Sequence, residues 1–347
     1  MKIQTLPAVN GDFIIVSSGS GEETNYIVID GGTPGNYKKN FSPRLKVIKD
    51  SNRVVDLLIT THIDDDHIGG VVNLFSDVKA DKSFIKKVWF NSGEMLAAYF
   101  GSAPAPARAV SLLKSDVTSL SVPQGVTLEK ELKNLNIWNH PLLIAGHEES
   151  IGNFSLTLLS PNQDTLLLLN NKWQVEKSAK LTMSNVHDDF DKTIKELAEY
   201  DYKEDDSIPN GSSIALLVKD KSHSALLLAD AYPSVVIAAL TTMGFSKTKK
   251  IAVDFVKVSH HASKGNTSKE LLEMIACKKF MISTDGSKHG LPDKLAIARI
   301  INQFPDCTLY FNYKNKVTTS IFLPEDFIDF PEFKCVFLED SDYNIPL

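Results

Sequence analysis

The stretch Ile59-Thr60-Thr61-His62-Ile63-Asp64-Asp65-Asp66-His67 constrains this chain more than any other part of it. Leu57-Leu58-Ile59 is an apolar run of strand type, and beyond the two threonines the chain carries His62, Asp64, Asp65, Asp66 and His67 within six positions. A packed loop rarely gathers so many ionisable groups, because charges without partners are costly to crowd away from water. A divalent ion relieves that cost, and imidazole nitrogen and carboxylate oxygen both suit zinc, manganese or iron. Gly69-Gly70 then lets the backbone approach a neighbour closely as a helix begins at about Asp66. The bland alternative is an acidic turn with incidental histidines.

The rest of the chain is compatible with an enzyme built around that loop. Its 347 residues suffice for a large core, and 43% hydrophobic and 23% charged residues are the proportions of a soluble globular protein. No stretch approaches the roughly 18 consecutive apolar residues of a spanning helix, so no membrane association is expected. The N-terminus MKIQTLPAVNGD has neither a basic start nor an apolar run, so no leader is expected. Cys277, Cys307 and Cys335 are widely spaced, without metal-ligand spacing, and suit a reducing compartment; a cytoplasmic location is the default expectation. A net charge of −6 gives no support for broad nucleic-acid coating. It leaves an anionic substrate open, since bound ions supply local positive charge.

Apolar runs predict strands at residues 13–16, 26–29, 57–59, 154–159, 213–218, 225–229 and 255–258. Helical periodicity falls at 234–242, 268–275 and 292–302. Strands come first, helices are interleaved, and the second half repeats the rhythm, which predicts an α/β chain of stacked sheets with helices outside. The least regular part runs from about 162 to 209. It holds Trp173, the acidic run Asp188-Asp189-Phe190-Asp191, a helix-like stretch at 193–200 and Lys203-Glu204-Asp205-Asp206. It reads as a lid or insertion over the site, or equally as a solvated surface helix without a role.

Four motifs in order resemble the metallo-β-lactamase superfamily, over about residues 10–320. The pattern H-x-H-x-D-H after an apolar-Thr-Thr strand end is matched by His62 to His67, with Asp64 in place of the second histidine. Asp30 in Ile29-Asp30-Gly31-Gly32, Asp230 in Leu226-Leu227-Leu228-Ala229-Asp230, and the pair in Val258-Ser259-His260-His261-Ala262-Ser263-Lys264 match the later motifs. The Asp64 version and the His-His pair look like the hydrolase domain of ComEC-type DNA-uptake proteins and their stand-alone relatives. The resemblance implies a four-layer αββα metallo-β-lactamase sandwich, one domain over 1–347, and two divalent ions, zinc or manganese, with magnesium also compatible. His62, Asp64 and Asn210 would hold one ion, and Asp66, His67 and His261 the other. Asp230 would bridge them, and Asp30 would support the site from behind.

Two imidazoles usual in the superfamily are missing. Asp64 replaces one. In Ile208-Pro209-Asn210-Gly211-Ser212-Ser213, Asn210 stands where another would be and could bind metal or substrate through its carbonyl. Oxygen donors favour harder ions such as manganese or magnesium. His147 is a second candidate for the missing ligand, whereas His140, His187 and His223 read as exposed. Laying the His-His turn on the superfamily's V-P-G-H-G puts His261 on the ligand and leaves His260 as a donor to a substrate oxyanion; the reverse assignment stays open. His289, in Ser287-Lys288-His289-Gly290-Leu291-Pro292, either lines the site or belongs to the turn before a helix held by Pro292.

The reaction implied is metal-assisted hydrolysis, with Asp66 orienting the attacking water and no side-chain nucleophile; neither a G-x-S-x-G elbow nor a P-loop is present. The ComEC-type resemblance implies a phosphodiesterase or nuclease acting on nucleic acid or a nucleotide. The alternatives are an ester, lactone or amide hydrolase, and a subunit silent until a larger protein partner binds, resembling antiviral-defence effectors.

Overall fold

The apolar runs become strands buried on both faces, stacked in two sheets. The computed structural model describes residues 1–102, 121–175 and 187–347. One sheet has six strands in the order Asn344–Ile345, Lys2–Thr5, Ile14–Ser18, Asn25–Ile29, Leu57–Ile59, Val88–Trp89. The other has eight, in the order Lys334–Phe337, Thr308–Phe311, Lys279–Ile282, Phe255–Lys257, Ser224–Leu227, Ala215–Lys219, Phe154–Ser160, Glu148–Ile151. Ile251–Ala252 and Ile275–Ala276 form a separate parallel pair.

Successive side chains of a strand face opposite ways, so a continuous apolar run serves two cores. Ile14, Val16, Ile27, Ile29, Leu57 and Ile59 pack against Leu156, Leu158, Leu216, Val218, Leu227, Phe255 and Met281 between the sheets. Their neighbours Ile15, Val28, Leu58 and Val88 face the other way, onto helices Ser42–Asp50, Asp65–Ser76 and Gln163–Val175 through Leu45, Ile68, Val71, Leu166 and Trp173. On the far side Leu217, Leu226, Val256, Phe280 and Ile282 meet helices Pro233–Thr242, Lys269–Glu273 and Lys294–Gln303. The result is helix, sheet, sheet, helix: the expected αββα sandwich.

Several elements differ from the expectation. The helix read at 268–275 is confined to Lys269–Glu273, and Ile275–Ala276 turns into a strand that pairs with Ile251–Ala252. The helix-like 193–200 forms one turn, Ile194–Leu197, held by a reciprocal Thr193–Glu196 cap. Within 162–209, residues 176–186 lie outside the described residues. Gln163–Val175 packs in the first helical layer and Ile194–Leu197 in the second, against Lys294–Gln303. The run therefore contributes to both layers.

A buried ion pair ties the C-terminal part to the second layer. Asp326 and Lys294 are fully buried, with Asp326 Oδ2 2.6 Å from Lys294 Nζ, and Asp326 also accepts the backbone N–H groups of Ile194 and Leu323. Truncating one partner strands the other charge in the core. Asp326→Ala is expected to lower stability by about 3–5 kcal/mol, read as a shift in the urea midpoint at unchanged slope.

Candidate metal centre

Parallel strands aim their carboxyl ends the same way, and here two such sets converge. In the first sheet Asn25–Ile29 and Leu57–Ile59 run parallel and deliver Asp30 and His62. In the second, Ser224–Leu227, Phe255–Lys257 and Lys279–Ile282 run parallel and deliver Asp230, the His260-His261 turn and Ser283. The helix Asp65–Ser76 begins in the same place and brings Asp66 and His67. Its entry depends on glycines. A Cβ on Gly70 would lie 2.1 Å from the carbonyl oxygen of Gly31, and one on Gly11 1.7 Å from that of Asp66. The close packing is held by bonds from Gly31 N to His67 O (2.9 Å) and from Gly70 N to Gly32 O (2.9 Å). Gly70→Ala is expected to cost about 1–3 kcal/mol through overpacking and to lower metal retention, measured by denaturation and elemental analysis.

One carboxylate oxygen is the hub. Asp230 Oδ2 lies 3.4 Å from His67 Nε2 and 3.8 Å from the Nε2 atoms of His62, His260 and His261. His62 Nε2 is 3.7 Å from Asp64 Oδ2, and His261 Nε2 is 3.7 Å from Asp66 Oδ2. His67 and His261 approach with Nε2 atoms 3.3 Å apart. Each ring is steered from its other nitrogen. His67 Nδ1 bonds Asp30 Oδ2 (2.8 Å), His62 Nδ1 meets Thr61 Oγ1 (3.0 Å), and His261 Nδ1 donates to the Ser283 carbonyl (2.6 Å). Asp30 also accepts the Thr61 amide (2.8 Å) and hydroxyl (2.7 Å), so one buried carboxylate sets both the loop and the His67 ring.

Crowding shows in the ionisation of these groups. Burial, reinforced by the neighbouring His67, pushes His62 down to about 3, and burial holds His261 well below its ordinary value. Burial opposes the charge on His67, yet the Asp230 and Asp30 carboxylates outweigh it and hold His67 well above its ordinary value. Burial likewise works against the Asp230 carboxylate, but His67, His261 and His260 pull it well below the carboxylate range. Burial pushes Asp66 up to about 6.

The donor set fits divalent cations. Buried His62 Nε2, Asp230 Oδ1 and Asn210 Oδ1 have no hydrogen-bond partner, and His62, His67 and Asp230, like Asp66, His67 and His261, place one ligand atom each within 4.8 Å of one another. Imidazole nitrogens with protein-bonded Nδ1 atoms, facing carboxylates, are the ordinary ligands of zinc or manganese. The remaining sequence candidates fall nearby. Asp64, Asn210 and His289 line a cleft of 860 Å³ that also exposes Asp66, Asp230, His260 and His261. His147 is not among the cleft residues; it stands edge-on to Trp89 and 3.7 Å from Glu149.

Sequence reasoning missed a layer behind these residues. Lys257 is fully buried, pairs with Asp12, bonds the Ala229 carbonyl (3.1 Å) and lies 3.9 Å from Asp230 Oδ1. Its signal was available: a lysine between Val256 and Val258 in an otherwise apolar strand. Asn10 donates to Asp66 Oδ2 (2.7 Å). Asp205 and Asn266 flank His260; Asp205 belongs to the charged run 203–206 but no role was legible for it there, and nothing in the local sequence marks Asn266. Backbone strain gathers here too, with positive φ at Asp30, Ala229, His260, His261, Ala262 and His289.

The layered sheets and this site at their joined edges define the metallo-β-lactamase fold. The metallo-beta-lactamase superfamily model matches residues 13–160, less than half of the chain, and supports that superfamily. No curated protein matches the chain. Among solved structures, the chain is similar to Zn(2+)-bound PqqB from Methylobacterium extorquens, at 8% identity over 100% of both chains with a TM-score of 0.42. It is similar to the metallo-beta-lactamase fold protein YhfI from Bacillus subtilis, at 11% identity over 96% of this chain and 95% of that one, TM-score 0.39. It is also similar to a HARLDQ-motif mutant metallo-beta-lactamase from Cronobacter sakazakii, at 10% identity and TM-score 0.29, covering 64% of this chain but only 58% of the length of that protein.

Proposed function

We propose that this protein is a metal-dependent hydrolase acting on phosphodiesters. The observation that carries the reading is the convergence of imidazole Nε2 atoms around Asp230 Oδ2, with the Asp64 carboxylate beside His62 and that of Asp66 beside His261, in an open cleft. His62, His67, His261, Asp64, Asp66 and Asp230 would hold two divalent ions, zinc or manganese. Such ions supply positive charge that makes a water nucleophilic near neutral pH and offsets charge developing on the substrate.

The chain does the positioning. Asn10 fixes Asp66, whose half-buried carboxyl is pushed up to about 6 by desolvation and is placed to orient the attacking water. Asp30 holds His67, and Ser283 holds His261. Support for a phosphodiester comes from oxygen donors at Asp64 and Asn210, which suit hard ions, and from Lys203 and Lys288 along the cleft, which suit an anion. The ComEC-type motifs point the same way. Within this reading the stretch at 162–209 forms part of the cleft rim, through Lys172, Lys203 and Asp205.

The test is elemental analysis joined to hydrolysis assays with manganese or zinc, on DNA, RNA and bis-p-nitrophenyl phosphate beside a lactone and β-lactam panel. Phosphodiester cleavage by the wild type, reduced about 100-fold or more in Asp66→Ala, is the expected result. Turnover of the carbonyl substrates alone would move the reading to an ester, lactone or amide hydrolase. Full activity in Asp66→Ala would overturn the site.

A further inference from the structure

Asn210 stands where the motif pattern has an imidazole, and the His260 ring lies against it. His260 is oriented as the other three imidazoles are. Its Nδ1 lies 2.8 Å from Asn266 Oδ1, and its Nε2 is 3.8 Å from Asp230 Oδ2, the same separation as for His62 and His261. An amide oxygen only accepts, so the Asn266 bond keeps a proton on Nδ1, and in the neutral ring the Nε2 lone pair faces the hub. Asn266 is itself fixed, because its Nδ2 donates to Asp205 Oδ2 (3.1 Å) and to the Asp230 carbonyl (3.1 Å).

Asp205 sets Asn210 in the same way. A carboxylate accepts only, and Asn210 Nδ2 donates to Asp205 Oδ2 at 2.7 Å, passing 3.3 Å and 3.5 Å from the two nitrogens of His260. That orientation leaves the buried Asn210 Oδ1 as an acceptor without a partner. Asp205 is held in turn by a short strap. Its amide bonds the Gly265 carbonyl (3.0 Å), its Oδ1 accepts the Ser207 amide (3.0 Å), and the adjacent Glu204 caps helix Pro233–Thr242 through the amide and hydroxyl of Ser234 (2.8 Å each).

We propose that His260 is a metal ligand in this chain, taking the place of the imidazole absent at Asn210, and that Asp205 is the positioning residue that prepares both His260 Nε2 and Asn210 Oδ1 for the ion. Both members of the His260-His261 pair then face metal, one for each ion, and the substrate oxyanion is met by another group. This inference rests on the metal-centre reading above but not on the choice of substrate.

The test uses the whole chain. A cadmium-113-loaded, nitrogen-15-histidine sample is expected to show metal coupling to four imidazoles, His260 among them. In zinc titrations the wild type is expected to hold two ions. His260→Gln is expected to keep one tightly and to lose affinity for the other by about 100-fold, and Asp205→Asn by about 10-fold, as for residues that orient a ligand. Absence of cadmium coupling at His260, or two ions held at wild-type affinity by His260→Gln with only turnover lost, would overturn the proposal. The cadmium spectrum is read on the wild type, so it decides even if a variant fails to fold. A wild type that binds no ion sinks the metal-centre reading as well, whereas coupling at His260 without phosphodiester cleavage sinks the substrate reading alone.

Discussion

On the proposed function, Asp230→Ala is expected to strip the protein of both ions and to lower phosphodiester turnover about 1,000-fold, the upper range for removing one preorganised electrostatic group. The reason is geometric: four Nε2 atoms lie within 3.4–3.8 Å of its Oδ2, so no neighbouring carboxylate can take over the hub. The substitution should also weaken the fold. His67 is fully buried, and Asp230 and Asp30 favour its charged form against the cost of burial. Removing one of those partners is expected to cost about 3–5 kcal/mol. Urea denaturation of metal-free samples measures it, and elemental analysis of purified protein measures the ion content. Normal stability with normal ion content would disprove the hub. The ionisation of His67 sets the pH response too. An ion must displace the His67 proton, so uptake should release protons and affinity should fall as the pH is lowered. Calorimetry in buffers of different ionisation enthalpy reports the number released.

The second large effect is expected at Asp30, which need not touch an ion. Its two oxygens receive the Thr61 amide, the Thr61 hydroxyl and His67 Nδ1, all in a fully buried setting. Asp30→Ala leaves three donors in the core without an acceptor, each worth about 1–3 kcal/mol, and frees the His67 ring. Metal affinity is expected to drop about 10–100-fold. Asp30→Asn separates the contributions. Its amide has one accepting oxygen and a donating nitrogen: with the oxygen in the Oδ2 place it keeps the Thr61 hydroxyl and His67 Nδ1 but turns an N–H toward the Thr61 amide, with the oxygen in the Oδ1 place it keeps that amide and turns an N–H toward His67 Nδ1, and in both the negative charge beside His67 is lost. It should therefore retain more stability than the alanine variant while still losing affinity. Equal affinity in Asp30→Asn and the wild type would show that the charge of Asp30 does not bear on metal affinity. Zinc titration against a chromophoric chelator distinguishes these outcomes.

Much of the layout was readable from residue order. A strand buried on both faces has to be almost wholly apolar; the runs at 13–16, 26–29 and 57–59 are apolar throughout, 255–258 is broken only by Lys257, and 154–159 by Ser155 and Thr157. They accordingly lie within or overlap strands between two cores. Of the strands that escaped notice, Lys2–Thr5, Glu148–Ile151 and Lys334–Phe337 lie at or near sheet edges, where solvent tolerates polar side chains and periodicity is weak, whereas Lys279–Ile282 and Thr308–Phe311 are interior, short apolar runs that suit helix and strand alike. The over-long helix at 268–275 failed for a related reason. Ile275 suits helix and strand alike, and only its pairing with Ile251 decides between them.

By itself the sequence determined the chemistry that meets at the site. His62, Asp64, Asp66 and His67 are bound together by a single strand-to-helix passage, and Asp30, Asp230 and the His260-His261 pair each end a strand. Local rules of burial and turn formation put such residues at strand ends whatever surrounds them. Which atoms face the hub was decided only by the tertiary structure. Asn266 and Asp205 turn the His260 ring, Ser283 turns His261, and the buried Lys257–Asp12 pair sits behind Asp230. These partners lie anywhere from 6 to 245 positions away in the chain. Hydrogen-bond direction depends on where donors and acceptors meet in space, so no local pattern in the sequence carries it.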